Sequence, residues 1–309
     1  MIRVLGILIG LGFVIVTAWS LGNGVYAYVT SPHEETVEHR FHKHAKDLHL
    51  ASDGPFGKFD RAQLQRGFQV YQEVCAACHS LSYVAFRNLA ELGYNEAEIR
   101  AIAEKKQVPA LDPRTGDATT RPATPADHYP SPYPNEIAAR GANNNALPPD
   151  LSLIAKAREG GAAYTYSLLT GYADPASYRN EKGEALPAEN RPGTGLYFNP
   201  YFPNLNIAMP PPLTTNGQVT YEDGTNPTVD QMSKDVSAFL EWTAEPRLEN
   251  RRRTGMVVIF FLLIATVLAY MSYQNIWHGP TSRRVRRTGP LDPENIAKRE
   301  AASAEGLEH

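Results

Sequence analysis

Two thiols separated by two residues and followed at once by an imidazole, Cys75-Ala76-Ala77-Cys78-His79, carry the clearest chemistry in this 309-residue chain. At this spacing each thiol can add to one vinyl group of a porphyrin, and His79, held beside the second thioether, falls under the ring as an axial ligand to iron. This is the attachment pattern of haem c. Other uses of paired thiols fit less well. A zinc site needs two further ligands at similar spacing, yet the only two cysteines of the chain are both here. A thioredoxin-like pair follows a strand in a βαβ pattern and needs no trailing histidine. Covalent haem attachment places the domain outside the bacterial cytoplasm, and with both thiols consumed no disulfide is left to brace the fold.

One axial position remains, and whether it is filled separates electron transfer from catalysis or gas binding. Among the five methionines, Met1 starts the chain, Met256 and Met271 fall in an apolar run, and Met232 has helical spacing with other apolar residues. Met209 is the candidate. In Ile207-Ala208-Met209-Pro210-Pro211-Pro212 the residue before proline is confined to extended backbone, and three prolines in series make a stiff strap that can hold a weak thioether against iron. A neutral sulfur ligand favours ferrous iron and predicts a high reduction potential. A second cluster, His33, His39, His42, His44 and His49, lies on a polar segment and reads as a solvated linker rather than a metal cage.

The elements that position these residues read as helices joined by long irregular loops. A helix from about Asp60 to Cys75 has Asp60 as its N-cap and Leu64, Phe68 and Tyr71 on one face. Another spans about Asn95 to Lys106, opened by an Asn95/Glu98 capping box. Residues 109–134 read as an extended surface loop. A third helix is expected from Asp150 or Ser152 to Gly160-Gly161, a short fourth from Gly161 to Thr170, and a longer one from Val229 to Trp242 with Met232, Val236, Phe239 and Leu240 inward. Residues 175–212 read as irregular, and 293–304 as a solvated helix. The fold class is therefore all-α, a cytochrome c-type domain in which the cofactor replaces part of the apolar core.

Val4 to Val29 and Thr254 to Tyr273 contain no charged side chain and are long enough to cross a bilayer as helices. The first is longer than a signal-peptide core and carries Trp19, Tyr26 and Tyr28 as interface anchors, so it reads as a retained membrane helix. Residues 31–250 contain 28 Asp and Glu against 20 Lys and Arg, a net of −8, whereas the two ends carry 5 acidic and 10 basic residues, a net of +5. Arg251, Arg252 and Arg253 precede the second span, and Arg283, Arg284, Arg286 and Arg287 follow it, so basic flanks alone barely decide orientation. The haem does: residues 31–250 form the domain on the outer, periplasmic face, 1–30 and 251–278 span the inner membrane, and 279–309 form a cytoplasmic tail. The arginine triplet is expected against lipid phosphates.

In this order, several segments resemble the cytochrome c1 family of bacterial type. They are Arg66-Gly67-Phe68-Gln69-Val70-Tyr71, the haem motif, residues 142–152 (Ala142-Asn143-Asn144 through Pro148-Pro149-Asp150), residues 167–172, residues 195–202, Ala208-Met209-Pro210, and residues 234–242 running on to the last apolar helix. The resemblance covers roughly residues 53–278. It implies haem c bound by Cys75 and Cys78, iron ligated by His79 and Met209, and a haem propionate contacted by Arg158 and Tyr164, with Asn143 a further hydrogen-bond partner. It also implies a subunit of a dimeric quinol–cytochrome c oxidoreductase, taking single electrons from the Rieske iron–sulfur protein beside cytochrome b and passing them to a soluble or membrane-anchored cytochrome c. Nucleic acid is not among the partners. Two departures stand out: most relatives have a cleaved signal where this chain is expected to keep a membrane helix, and some carry an extra cysteine pair absent here. The alternatives are a c-type subunit of a terminal oxidase and, from another class, a haem enzyme or gas sensor with an open iron position.

Overall fold

The structure is a computed structural model that describes residues 2–30, 35–281 and 293–304. Its contacts divide into two units, Met1–Leu50 with Asp60–Ala244, and Ala51–Phe59 with Glu245–His309.

The first unit opens with α1 (Ile2–Thr30) and a short α2 (Val37–Phe41), whose N-cap Thr36 accepts from the His39 N–H. In α3 (Arg61–Glu73) the Asp60 carboxylate accepts from the amides of Ala62 and Gln63, satisfying donors that the first turn cannot pair. A 3₁₀ turn, Cys75–Ala77, continues it, and another covers Phe86–Leu92. The capping box at Asn95 and Glu98 opens α4 (Glu96–Glu104) as expected. Next come an antiparallel hairpin of β1 (Gln107–Leu111) and β2 (Ala118–Pro122), then α5 (Glu136–Ala142), α6 (Ile154–Ala157), α7 (Gly161–Leu169), the two-residue strands β3 (Tyr197–Phe198) and β4 (Asn206–Ile207), and α8 (Val229–Ala244). Helices dominate, so the all-α class holds with two small sheets added.

Helices α3 and α8 form the centre. Leu64, Phe68 and Tyr71 face Met232, Val236, Phe239 and Leu240, and all seven are buried. Phe68 and Tyr71 lie 5.5 and 5.8 Å from the Phe239 ring, pairs worth about 0.5–1.5 kcal/mol each beyond the area they bury. The helices touch at Gly67: a methyl group there would meet the Asp235 carbonyl oxygen at 2.0 Å and Phe239 Cβ at 2.7 Å. Only glycine lets the backbones approach this closely. Beside that contact the fully buried Asp235 carboxylate accepts from Arg66 Nε at 2.9 Å, Gln63 Nε2 at 3.1 Å and Gln231 Nε2 at 2.8 Å. Arg66 also donates to Asp223 at 2.6 Å, so one guanidinium ties α3 to α8 and to the loop before it.

Two expectations need correction. Residues 109–134 are not wholly loop, because 107–122 form the hairpin. The third helix shrinks to the single turn α6: the Asp150 side chain bonds to serines far away in sequence, and Arg158 takes an extended backbone (φ −120°, ψ 136°) that ends the helix early. The irregular stretch near residues 178–207 has its own small core of Phe41, Leu186, Phe198 and Leu205, with Val37 and Tyr178 packed on it. That core fixes β4, which leads directly into the Met209 strap.

The second unit holds the loop 51–59, α9 (Leu248–Thr281) and α10 (Pro293–Ala304). By length and composition α1 and α9 could each cross a membrane, over Arg3–Thr30 and Leu248–Ile276. Of the basic residues considered above, Arg283, Arg284, Arg286 and Arg287 lie outside the described residues, as does His33.

Candidate functional site

Cys75 and Cys78 lie on the 3₁₀ turn at the end of α3, half-buried and not joined to each other. Burial and the neighbouring Cys78 push the Cys75 thiol up to about 12. The turn is built by Cys75 itself, whose carbonyl accepts from the amides of Cys78 at 3.1 Å and His79 at 2.9 Å. Tyr71, one turn back on α3 and packed on Phe239, donates its hydroxyl to the His79 carbonyl at 3.0 Å. The helix pair at the centre of the domain thereby fixes the backbone that bears the imidazole.

The ring of His79 is held as well. Its Nδ1 lies 2.7 Å from the Pro149 carbonyl oxygen, which can only accept, so the proton sits on Nδ1 and the lone pair on Nε2. Burial lowers the imidazole's pKa, more than the Pro149 bond and the Asp150 charge raise it, which favours the neutral, metal-binding form. Asp150, the next residue, locks the Pro149 segment to the chain after His79. Its carboxylate accepts from Ser80 Oγ at 2.7 Å, Ser82 N at 2.8 Å, Ser82 Oγ at 2.6 Å and Ser152 N at 2.8 Å. Burial works to raise this carboxyl, but the bonds from Ser152, Ser82 and Ser80 outweigh it and bring the pKa down to about 2.

Met209 is half-buried in the strap after β4, and its carbonyl accepts from Tyr172 OH at 2.9 Å. Tyr172 follows α7; burial pushes its phenol up, and Tyr164 and Tyr197 lie near it. Tyr164 in turn feels the charge of Arg158. The structure therefore gathers Arg158, Tyr164, Tyr172 and the Met209 strap into one neighbourhood. Arg158 is exposed, as a residue meeting a ligand carboxylate can be. Asn143 behaves differently. It donates from Nδ2 to Tyr133 OH at 2.9 Å and to the Ala139 carbonyl at 2.7 Å, so both amide hydrogens are engaged within the protein. Met232 is fully buried in α8, and Met256 and Met271 lie on α9.

Several supporting residues have no signal in their own segments. Pro149, Ser80 and Ser82 matter through bonds to partners about 70 residues away, and Tyr172 through one 37 residues away. Lys46 escaped notice too: it donates to Thr170 Oγ1 at 2.6 Å and lies over the Tyr166 and Tyr201 rings, at 5.7 and 5.4 Å, tying the segment after α2 onto α7. Among the described residues no three His, Cys, Asp or Glu side chains gather into a metal cage; His42 and His44 meet only edge to face, with ring centroids 6.5 Å apart.

The donor set fits haem c. Two unpaired thiols could take covalent attachment, and an imidazole in the correct tautomer and a thioether on a stiff strap are donors suited to its iron. The Pro149 segment that holds the His79 ring leaves Leu147 and Leu153 exposed, and the chain at β3, which pairs with β4 before the strap, leaves Leu196 and Tyr197 exposed, apolar surface suited to a porphyrin face.

Comparison with known proteins agrees. The Cytochrome C1 family model matches residues 50–279. Cytochrome c1 of Rhodospirillum rubrum is 48% identical over 229 residues, covering 72% of this chain and 84% of that protein. Cytochrome b/c1 of Bradyrhizobium diazoefficiens is also 48% identical, over 235 residues, but only 34% of its length is matched. The mitochondrial cytochrome c1 heme protein of Saccharomyces cerevisiae is 45% identical over 243 residues, with 78% of this chain and 74% of that one covered. The thiol pair, the oriented imidazole and a match across most of the domain lead to one conclusion: this chain belongs to the cytochrome c1 family, whose members are c-type haem proteins.

Proposed function

We propose that the chain is the haem subunit of a quinol–cytochrome c oxidoreductase, receiving single electrons from the Rieske iron–sulfur protein and passing them to a cytochrome c. Cysteines 75 and 78 would hold haem c covalently, His79 Nε2 and Met209 Sδ would ligate its iron, and Arg158 and Tyr164 would meet a propionate. Asn143 joins that set by exchanging one of its two internal bonds. When bound, haem c supplies a one-electron couple at iron. With an imidazole and a thioether both committed, no coordination position would be left for a reactant, and the subunit would carry charge without substrate chemistry of its own.

The observation that carries this reading is the His79 Nδ1–Pro149 carbonyl contact of 2.7 Å, which fixes the tautomer and aims the other nitrogen before any ligand arrives. The surroundings keep that aim. Tyr71 holds the backbone, Asp150 holds the Pro149 segment, and Tyr172 holds the strap.

In this reading α1 and α9 anchor the domain in the bacterial inner membrane, the haem domain of residues 31–250 lies on the periplasmic side, and 279–309 is cytoplasmic. Cytochrome b is the membrane partner, in a dimeric complex. The domain's net charge of −8 would draw a basic cytochrome c and speed its encounter. The test is reduction of a basic cytochrome c by the purified complex as salt is varied. The rate should fall steeply with ionic strength and cytochrome b should co-purify. A salt-independent rate would remove the acidic docking claim, and co-purification with a copper oxidase instead would reassign the subunit.

A further inference from the structure

The loop Ala51–Phe59 is clasped to the start of α9 at two levels. Glu249 Oε1 accepts from the Phe59 amide at 2.9 Å, while Arg252 donates to the carbonyls of Ser52 and Gly57, the latter at 3.3 Å. Lys58 N–H to the Ala51 carbonyl, 2.9 Å, closes the neck of the loop. Gly57 is required for its shape: a methyl group there would meet the Asp53 carbonyl oxygen at 2.1 Å and that of Ser52 at 2.4 Å. In a loop so tightly fixed, Phe56 is nonetheless 77% exposed.

The geometry of α9 gives this a direction. A helix rises 1.5 Å per residue, so Glu249 and Arg252 sit about 8 and 3 Å before Thr254, where the charge-free run begins. The Phe59 end of the loop is held at the farther level and the Gly57 end, next to Phe56, at the nearer one. Arg252, expected against lipid phosphates, is instead spent on loop carbonyls, and Arg251 pairs with Glu245. Arg253 and Lys58 are exposed beside them.

We propose that this loop is an interfacial anchor. It lays Phe56 into the boundary between headgroups and acyl chains of the bilayer that α9 spans, with Lys58 and Arg253 facing the phosphates of anionic lipid. An apolar ring flanked by cations is the composition that binds this layer, where buried apolar area and attraction to anionic lipid add together. The inference rests on the reading of α9 as a membrane span.

Haem attachment consumes both native thiols, so Phe56→Cys creates a unique site for a nitroxide label. The full-length holoprotein is reconstituted in vesicles of phosphatidylcholine and phosphatidylglycerol and compared with Leu263→Cys, in the middle of α9, and Ile137→Cys, exposed on α5. The ratio of collisions with oxygen to collisions with a water-soluble nickel chelate should be several-fold higher at 56 than at 137, and lower than at 263. A ratio at 56 equal to that at 137, with 263 lipid-like, overturns the anchor and leaves the span intact. A label at 56 shielded from both reagents also overturns it, since the ring is then packed against protein. A water-like label at 263 removes the span and the anchor together.

Discussion

The two sides of the proposed haem site are held by different means. His79 hangs from the best-packed part of the domain: its backbone is fixed by Tyr71, its ring by Pro149, and the Pro149 segment by four bonds to Asp150. Met209 lies in a strap with little regular structure, held by the Tyr172 hydroxyl, the β3–β4 pair and the stiffness of Pro210, Pro211 and Pro212. The difference matches the ligands. A strong imidazole ligand belongs on the scaffold that also carries the covalent links, whereas a weak thioether needs a stiff tether more than a dense network. On the His79 side damage should therefore appear as lost folding or lost haem, and on the Met209 side as changed redox behaviour in a folded protein.

That contrast can be broken most severely at the covalent link. Cys78→Ala should abolish or sharply reduce holoprotein, read as absorbance and intact mass; normal haem content would remove the thiol from its proposed role. Met209→Leu should leave the haem attached while lowering the potential and opening the iron to carbon monoxide, seen by redox titration and difference spectra. Within the scaffold, Arg66→Met strands the buried Asp235 carboxylate, and losing one partner of such a pair costs about 3–5 kcal/mol. Chemical denaturation should show that loss, with the potential nearly unchanged in the folded fraction.

Acid should probe the His79 side specifically. The folded-state pKa of Asp150, about 2, lies below its ordinary 3.8, so its stabilisation is complete above about pH 4 and disappears as pH falls toward 2. The midpoint of denaturation should drop across that window in the wild type and drop less in Asp150→Asn. Tyr172→Phe should have the smallest effect: one hydrogen bond to the strap, about 1 kcal/mol, with a modest weakening of the Met209 signature and no loss of haem.

Much of this arrangement was legible in the sequence, for reasons that separate local from distant signals. The Asp60 cap, the Asn95/Glu98 box and the apolar stripe of Val229–Ala244 act within a few residues, so type and spacing reveal them. The haem motif is local in the same sense. The hairpin 107–122 was hidden because its strands are almost wholly exposed and contain Pro109 and Pro122, leaving no alternating pattern. Helix α5 was hidden inside a proline-rich stretch, although Asn135, whose side chain accepts from the Ala138 amide, was a cap in plain sight. Asp150 looked like a helix cap and became a cross-link because Ser80 and Ser82 reach it from about 70 residues earlier in the chain. A separation of 37 residues from Met209 likewise hid Tyr172. The proposed first ligand could thus be named from a local motif, while the groups that hold it emerged only in three dimensions.

The most direct test of the account is the sulfur-to-iron charge-transfer band of the oxidised holoprotein, measured in the wild type and in Met209→Leu. The account predicts a band in the wild type that vanishes in the variant while the covalent haem remains. A band that survives the substitution would contradict it and point to Met232, the methionine buried in α8, as the ligand.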